Sequence, residues 1–393
     1  MTIQLSDRVK AVKPSPTLAI TARAAEMRAA GKDIIGLGAG EPDFDTPEHI
    51  KAAAIEAINN GFTKYTAVDG IPSLKQAIID KFKKDNGFDY QLNQILVSCG
   101  GKQSFYNLAQ ALLNPGDEVI IPAPYWVSYP DMVLLADAVP VIVETTQQQQ
   151  FKITAEQLRN AITDKTRLLV INSPSNPTGV AYSEPELKAL AEVLLEYPDI
   201  IVATDDMYEH ILWKKGTFVN ILNACPQLYD RTMVLNGVSK AYSMTGWRIG
   251  YAAGPVEIIA AMRKIQSQST SNPTSISQVA AEAAITGDQS CIDEMMVEFK
   301  KRHDFVVDAL NKLDGIDCLA TDGTFYVFPN IEKLIQRLEG IDSDMDFAEY
   351  LIEKAGVALV PGTAFGSPGH MRISIATSME NLEQALERIK QAI

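Results

Sequence analysis

Four cysteines among 393 residues, Cys99, Cys225, Cys291 and Cys318, stand far apart with no C-x-x-C spacing. Neither a disulfide framework nor a structural zinc site is expected from them, and no metal site is expected elsewhere. Isolated thiols of this kind suit a reducing, cytoplasmic setting. Long apolar runs are missing too: no stretch approaches the ~20 residues that a membrane-crossing helix needs, and the first residues hold no apolar core of a signal peptide. Positive charge is scarce, with 35 Lys and Arg against 49 Asp and Glu for a net charge of −14. The basic residues come singly or in short groups such as Lys83-Lys84 and Lys214-Lys215, so a phosphate-backbone footprint is absent and nucleic acid is not an expected partner. An acidic protein that binds anions has to gather positive charge in a cleft, against the field of the whole molecule. Isolated arginines and lysines within motifs are therefore the residues to follow.

A chain of this length exceeds one ordinary core, and two unequal domains are expected. From about residue 95, short β-branched runs alternate with longer amphipathic stretches, the pattern of a largely parallel sheet covered by helices. Seven strands are predicted, at 95–97, 118–121, 139–143, 167–171, 200–204, 233–235 and 249–252. Helices are predicted between them, for example at 102–113, stopped by Asn114-Pro115-Gly116-Asp117, and at 184–196, closed by Tyr197-Pro198. After about residue 285 the order changes to a long charged helix at 291–313, a strand at 324–328, more helix and a strand near 371–376. The expected architecture is α/β, with a large domain at 46–285 and a smaller α+β domain formed by 1–45 and 286–393.

In an open sheet of this kind ligands collect outside the carboxyl ends of the strands. The residues there are Ser98 to Lys102, Tyr125-Trp126, Asn172 to Gly179, Asp205 to Tyr208, and Ser239-Lys240 followed by Trp247-Arg248. Each has a bland reading alone: Gly100-Gly101 as a tight turn, Trp126 as core, Lys240 as a solvated surface lysine. Their joint occurrence at successive strand ends argues for a common ligand.

A pyridine aldehyde phosphate would use all of them. Its phosphate would meet the amides at Gly100, Gly101 and the helix opening near Lys102, with the Arg248 guanidinium as a bidentate partner. A protonated ring nitrogen requires a buried carboxylate, for which Asp205 is placed. Asn176 and Tyr208 are candidate donors to the phenolic oxygen, and Trp126 can stack on the ring. Lys240, beside Ser239, supplies the amine that joins the aldehyde as an imine and afterwards carries a proton to or from the substrate's α-carbon.

The set resembles the class I aminotransferases of pyridoxal-phosphate fold type I, most closely the bacterial aspartate aminotransferase branch. The likeness runs from Lys13-Pro14-Ser15-Pro16-Thr17 through Gly38 to Phe44, Pro124 to Tyr129, Asn172 to Gly179 and the S-K-x-x-x-x-T-G-W-R-x-G run at 239–250, to Arg372-Ile373-Ser374. Two departures stand out. Gly237 occupies a position where many relatives carry serine, which shifts phosphate binding toward backbone amides and Arg248. Asp206 stands where glutamate is usual.

The resemblance implies pyridoxal 5'-phosphate as cofactor and a ping-pong transfer of the amino group between L-aspartate and 2-oxoglutarate, with prephenate as an additional substrate. It places the substrate's α-carboxylate on Arg372, helped by Asn176 and the Gly40 backbone, with Trp126 alongside. It assigns the distal carboxylate to Lys102, with Lys13 and Thr17 as further contacts to dicarboxylates. Tyr65 resembles the tyrosine that reaches the phosphate of the neighbouring subunit, so a homodimer with shared active sites is implied. A lyase or synthase of the same fold, acting at the β- or γ-carbon, stays open as a rival, as does a cofactor-binding module without turnover. The Gly36 to Gly40 run tempts a dinucleotide reading, but it lacks G-x-G-x-x-G spacing and leads into Glu41-Pro42-Asp43, a poor receiver for pyrophosphate.

Overall fold

In the computed structural model the described residues are 3–14 and 16–393, with the side chains of 16–18 outside the description. All seven predicted strands form one sheet. Its spatial order is Ile95–Ser98, Gly250–Ala253, Thr232–Gly237, Ile201–Asp205, Thr166–Asn172, Glu118–Ala123 and Val139–Glu144. Every neighbouring pair is parallel except the two made by Gly250–Ala253.

Side chains along a strand alternate between faces. Leu168 and Val170 accordingly pack with Phe105, Leu108, Tyr129 and Val133 on one side, while Leu169 and Ile171 pack with Ile78, Phe82 and Leu190 on the other. Burial on both faces is why these strands read as continuous apolar runs. The helices flanking the sheet include Pro72–Asn86, Gly101–Leu112 and Glu184–Leu195. The last of these opens where the Glu186 carboxylate accepts from the Ser183 backbone N–H at 2.7 Å.

Register aligns the strand ends. Asn172 lies opposite Asp205, Gly237 opposite Gly250, and Gly250 opposite Ser98. One rim of the sheet therefore collects residues that are far apart in the chain.

The smaller α+β domain holds an antiparallel sheet of Val360–Pro361, Met371–Ser374 and Tyr326–Val327, packed against the helices Ser290–Leu310, Asp344–Lys354 and Met379–Ala392. The strand predicted at 324–328 is shorter because Thr324 has φ +63°, outside extended geometry. From the N-terminal segment, Ile35–Gly36 pairs in parallel with Val357–Ala358. Among the described residues no helix is long and apolar enough to cross a membrane.

Candidate active site

A cavity of about 250 Å³ opens at the aligned strand ends and is closed on its other side by Tyr326 and Arg372 of the smaller domain. Lys240 reaches into it from the loop after strand Thr232–Gly237, and its Nζ donates to the Gly40 carbonyl at 2.6 Å. Removal from water, reinforced by the positive charges of Arg372 and Arg248 and opposed by Glu41 and Asp205, brings the ammonium pKa down to about 8.

Asp205 ends strand Ile201–Asp205 and forms part of the cavity wall. Burial pushes its carboxyl above the usual carboxylate range. Hydrogen bonds from the Tyr129 hydroxyl at 2.5 Å and the Met207 amide at 3.3 Å favour the ionised form and oppose that push. Tyr208 follows in the same turn, its hydroxyl 3.1 Å from that of Tyr326.

The side of the cavity around Arg248 is built by close backbone approach. Gly100 has φ +88° and caps the helix Gly101–Leu112, and a Cβ there would stand 2.2 Å from Nη2 of Arg248. Arg248 is held in a left-handed conformation, φ +58°, with Nη1 donating to the Thr245 carbonyl at 2.8 Å. A Cβ at Gly237 would stand 3.0 Å from both the Gly250 Cα and the Ile249 carbonyl oxygen, so this position is crowded by backbone.

Arg372 is 2% exposed. Its Nη1 donates to Asn176 Oδ1 at 2.9 Å and its Nη2 to the Gly38 carbonyl at 2.6 Å, while Nε, buried, has no partner among the described residues. The guanidinium lies 4.5 Å from the Tyr326 ring centroid and 4.9 Å from that of Phe365. Asn176 is itself oriented by the Asn172 side chain, which accepts from its amide at 2.8 Å.

A family model described as "Aminotransferase class I and II" matches residues 32–389. The chain belongs to that family. The aspartate/prephenate aminotransferase of Nitrosomonas europaea is 62% identical over 392 residues, spanning 98% of this chain and 99% of that protein. The aspartate/prephenate aminotransferase of Cereibacter sphaeroides is 55% identical over 390 residues, 98% of each. Among solved structures, the aspartate aminotransferase from Rhizobium meliloti superimposes with a TM-score of 0.96 at 49% identity, covering 100% of this chain and 99% of that one. The aspartate aminotransferase from Thermus thermophilus with maleate gives 0.94 at 44% identity, covering 100% of both chains.

In this aminotransferase the cavity wall brings together Gly40, Gly101, Lys102, Trp126, Asn176, Asp205, Tyr208, Ser239, Lys240, Arg248 and Arg372, with Gly100 directly behind Arg248. Lys102 extends over the Trp126 ring, 5.2 Å from its centroid, and burial together with Arg248 lowers its pKa. Of the other expected residues, two lie outside this chain's cavity wall, Tyr65 being the one expected to serve the neighbouring subunit, and the third lies outside the described side chains. Tyr65 is 92% exposed, Lys13 is exposed and absent from the cavity wall, and the Thr17 side chain lies outside the described residues.

Sequence reasoning missed Tyr129, Tyr326 and Thr245. Tyr129 falls in the Pro124 to Tyr129 run that signals the family, yet its contact with Asp205 crosses the fold and leaves no spacing pattern. Among the described residues no group of three or more His, Cys, Asp or Glu is arranged to hold a metal ion.

Proposed function

We propose that this aminotransferase is pyridoxal-phosphate-dependent and exchanges the amino group between L-aspartate and 2-oxoglutarate by a ping-pong mechanism. The observation that carries the reading is the convergence of a lysine near neutrality, a buried carboxylate and a half-partnered arginine on one cavity: Lys240, Asp205 and Arg372.

The residues present fit the cofactor. Glycines at 100, 101, 237 and 250 leave no space for side chains, so the amino end of the helix Gly101–Leu112 and Arg248 are open to a phosphate, beside Ser239. Asp205, kept toward its ionised form by Tyr129, would face the ring nitrogen. Asn176 and Tyr208 would donate to the phenolic oxygen, Trp126 would cover the ring, and Lys240 would hold the aldehyde. Pyridoxal phosphate, when bound, supplies a reactive aldehyde and an electron-withdrawing ring.

The protein's own groups do the rest. With a pKa of about 8, far below that of an ordinary lysine, roughly a tenth of Lys240 is free amine at pH 7, able to take a proton from the substrate's α-carbon and return it. Arg372 and Asn176 grip the α-carboxylate and so fix which α-bond is exposed to Lys240. The Nε of Arg372 is a donor that none of the described residues uses. Lys102 meets the distal carboxylate as a flexible point charge, which tolerates more than one dicarboxylate geometry.

Prephenate as a further substrate is supported by the relatives named aspartate/prephenate aminotransferase, with Lys13 and Thr17 as the contacts that distinguish it. A dicarboxylate site is supported by the relative solved with maleate. A homodimer with shared active sites is supported by the surface around Tyr65, where Ile55, Ile58 and Phe62 are also exposed. The domain boundaries follow as 46–285 for the large domain and 1–45 with 286–393 for the small one, and four free cysteines suit the cytoplasm.

A half-reaction assay tests the reading. Purified enzyme carrying the cofactor, mixed with aspartate alone, should lose its visible absorbance as oxaloacetate forms, and 2-oxoglutarate should restore it. Continuous turnover of aspartate with release of ammonia and no need for an amino acceptor would assign the site to a lyase instead.

A further inference from the structure

Directly behind the cavity lies a charged cluster that the chemistry above does not use. The turn after strand Ile201–Asp205 faces two ways. Asp205, Met207 and Tyr208 line the cavity, while Asp206 and Glu209 are buried on the opposite side. Glu209 forms an ion pair with Lys81 of helix Pro72–Asn86, the two side chains being 4% and 5% exposed.

The same carboxylate accepts from Asn236 Nδ2 at 2.6 Å and Asn86 Nδ2 at 3.2 Å, and His210 Nε2 stands 3.5 Å away. Lys81 also donates to Asn86 Oδ1 at 2.9 Å and lies 3.8 Å from Asp85. Asn236 belongs to strand Thr232–Gly237, which runs on into Ser239 and Lys240, and its Oδ1 accepts from the Gly237 amide at 2.7 Å. Asp206 is held separately by Asn220 Nδ2 at 2.6 Å. Burial would push the Glu209 carboxyl up, but Lys81 and His210 outweigh it and bring its pKa down to about 2, so it is charged at every working pH.

A buried ion pair adds little net stability compared with well-packed apolar residues, and its best-attested use is to fix one arrangement of the chain. Here the arrangement concerns the active site. We propose that Lys81 and Glu209 are positioning residues: their ion pair, extended by Asn236, clamps the Asp205–Tyr208 turn and the Ser239–Lys240 loop to helix Pro72–Asn86 and so sets the Tyr208 hydroxyl relative to the Lys240 amine. The inference rests on the proposal that Lys240 and Tyr208 both serve bound pyridoxal phosphate.

The test uses the holoenzyme of the double variant K81M/E209Q, which removes both charges and leaves neither one buried alone. Three quantities are compared with the parent: melting temperature, the pH midpoint of the bound cofactor's visible absorbance, and kcat against KM for aspartate. The expected result is a folded protein whose absorbance midpoint is displaced and whose kcat falls about tenfold, with KM changed much less, as for a misplaced catalytic group. A folded double variant with the parent's midpoint and kcat would overturn the proposal. If the double variant does not fold, N236A decides, since it cuts the strut to the Lys240 strand while keeping the ion pair; a parental midpoint in N236A overturns the proposal equally. A parent enzyme that takes up no pyridoxal phosphate would instead sink the functional reading on which the inference rests.

Discussion

The Tyr129 hydroxyl donates to Oδ2 of Asp205 at 2.5 Å, from beneath the cavity and on the sheet face opposite helix Pro72–Asn86. Burial favours the neutral acid at Asp205, and this hydrogen bond is the largest of the influences that favour its charge. On the proposed function, the bond therefore sets how well Asp205 would hold a protonated ring nitrogen.

Tyr129→Phe should raise the Asp205 pKa further and weaken catalysis. Hydrogen bonds to charged groups contribute about 1.5–3 kcal/mol, so kcat should fall roughly 10- to 100-fold. Steady-state kinetics with aspartate and 2-oxoglutarate would show it. A variant as fast as the parent would mean that Asp205 keeps its charge without help.

Besides its proposed hold on the substrate, Arg372 acts on Lys240. Its positive charge disfavours a second cation nearby, so Arg372→Met should raise the Lys240 pKa from about 8 toward the ordinary lysine value. The pH dependence of reductive methylation at Lys240 in cofactor-free protein reads this directly. A pKa that stays put or falls would remove Arg372 from the list of causes. Arg372→Lys keeps the charge but loses the planar fork, and kcat/KM should drop by about 3 kcal/mol, on the order of 100-fold.

Gly100→Ala combines two penalties. A residue with a Cβ at φ +88°, ψ 160°, a region essentially confined to glycine, costs about 1–3 kcal/mol, and that Cβ would stand 2.2 Å from the Arg248 guanidinium. The variant should melt at a lower temperature and release pyridoxal phosphate more readily on dialysis. Full retention of the cofactor would show that Arg248 is not needed where it stands.

Lys102→Met should raise KM for aspartate much more than for alanine, which has no distal carboxylate. Equal changes for the two amino acids would move the specificity determinant elsewhere.

The large sheet was legible in the sequence because its central parallel strands are buried on both faces. Runs such as Leu168 to Ile171 are apolar at every position, and the predicted strand limits fall within a residue or two of those observed. The strand-end residues were legible as well, since sheet topology gathers them on one rim. The pairing of Ile35–Gly36 with Val357–Ala358 involves two residues on each side, too few to show any periodicity. Tyr326 and Tyr129 enter the site through packing across the fold, which no local pattern encodes. Within a single chain Lys13 faces solvent, as does Tyr65, whose role by resemblance is in the neighbouring subunit's site.

Everything proposed for the site depends on Lys240 carrying the cofactor. Borohydride reduction of the holoenzyme, followed by proteolysis and peptide mass analysis, locates the attachment. The phosphopyridoxyl mass is expected on the peptide containing Lys240, with no such adduct in Lys240→Ala. The same mass on another lysine, with Lys240 unmodified, would contradict it.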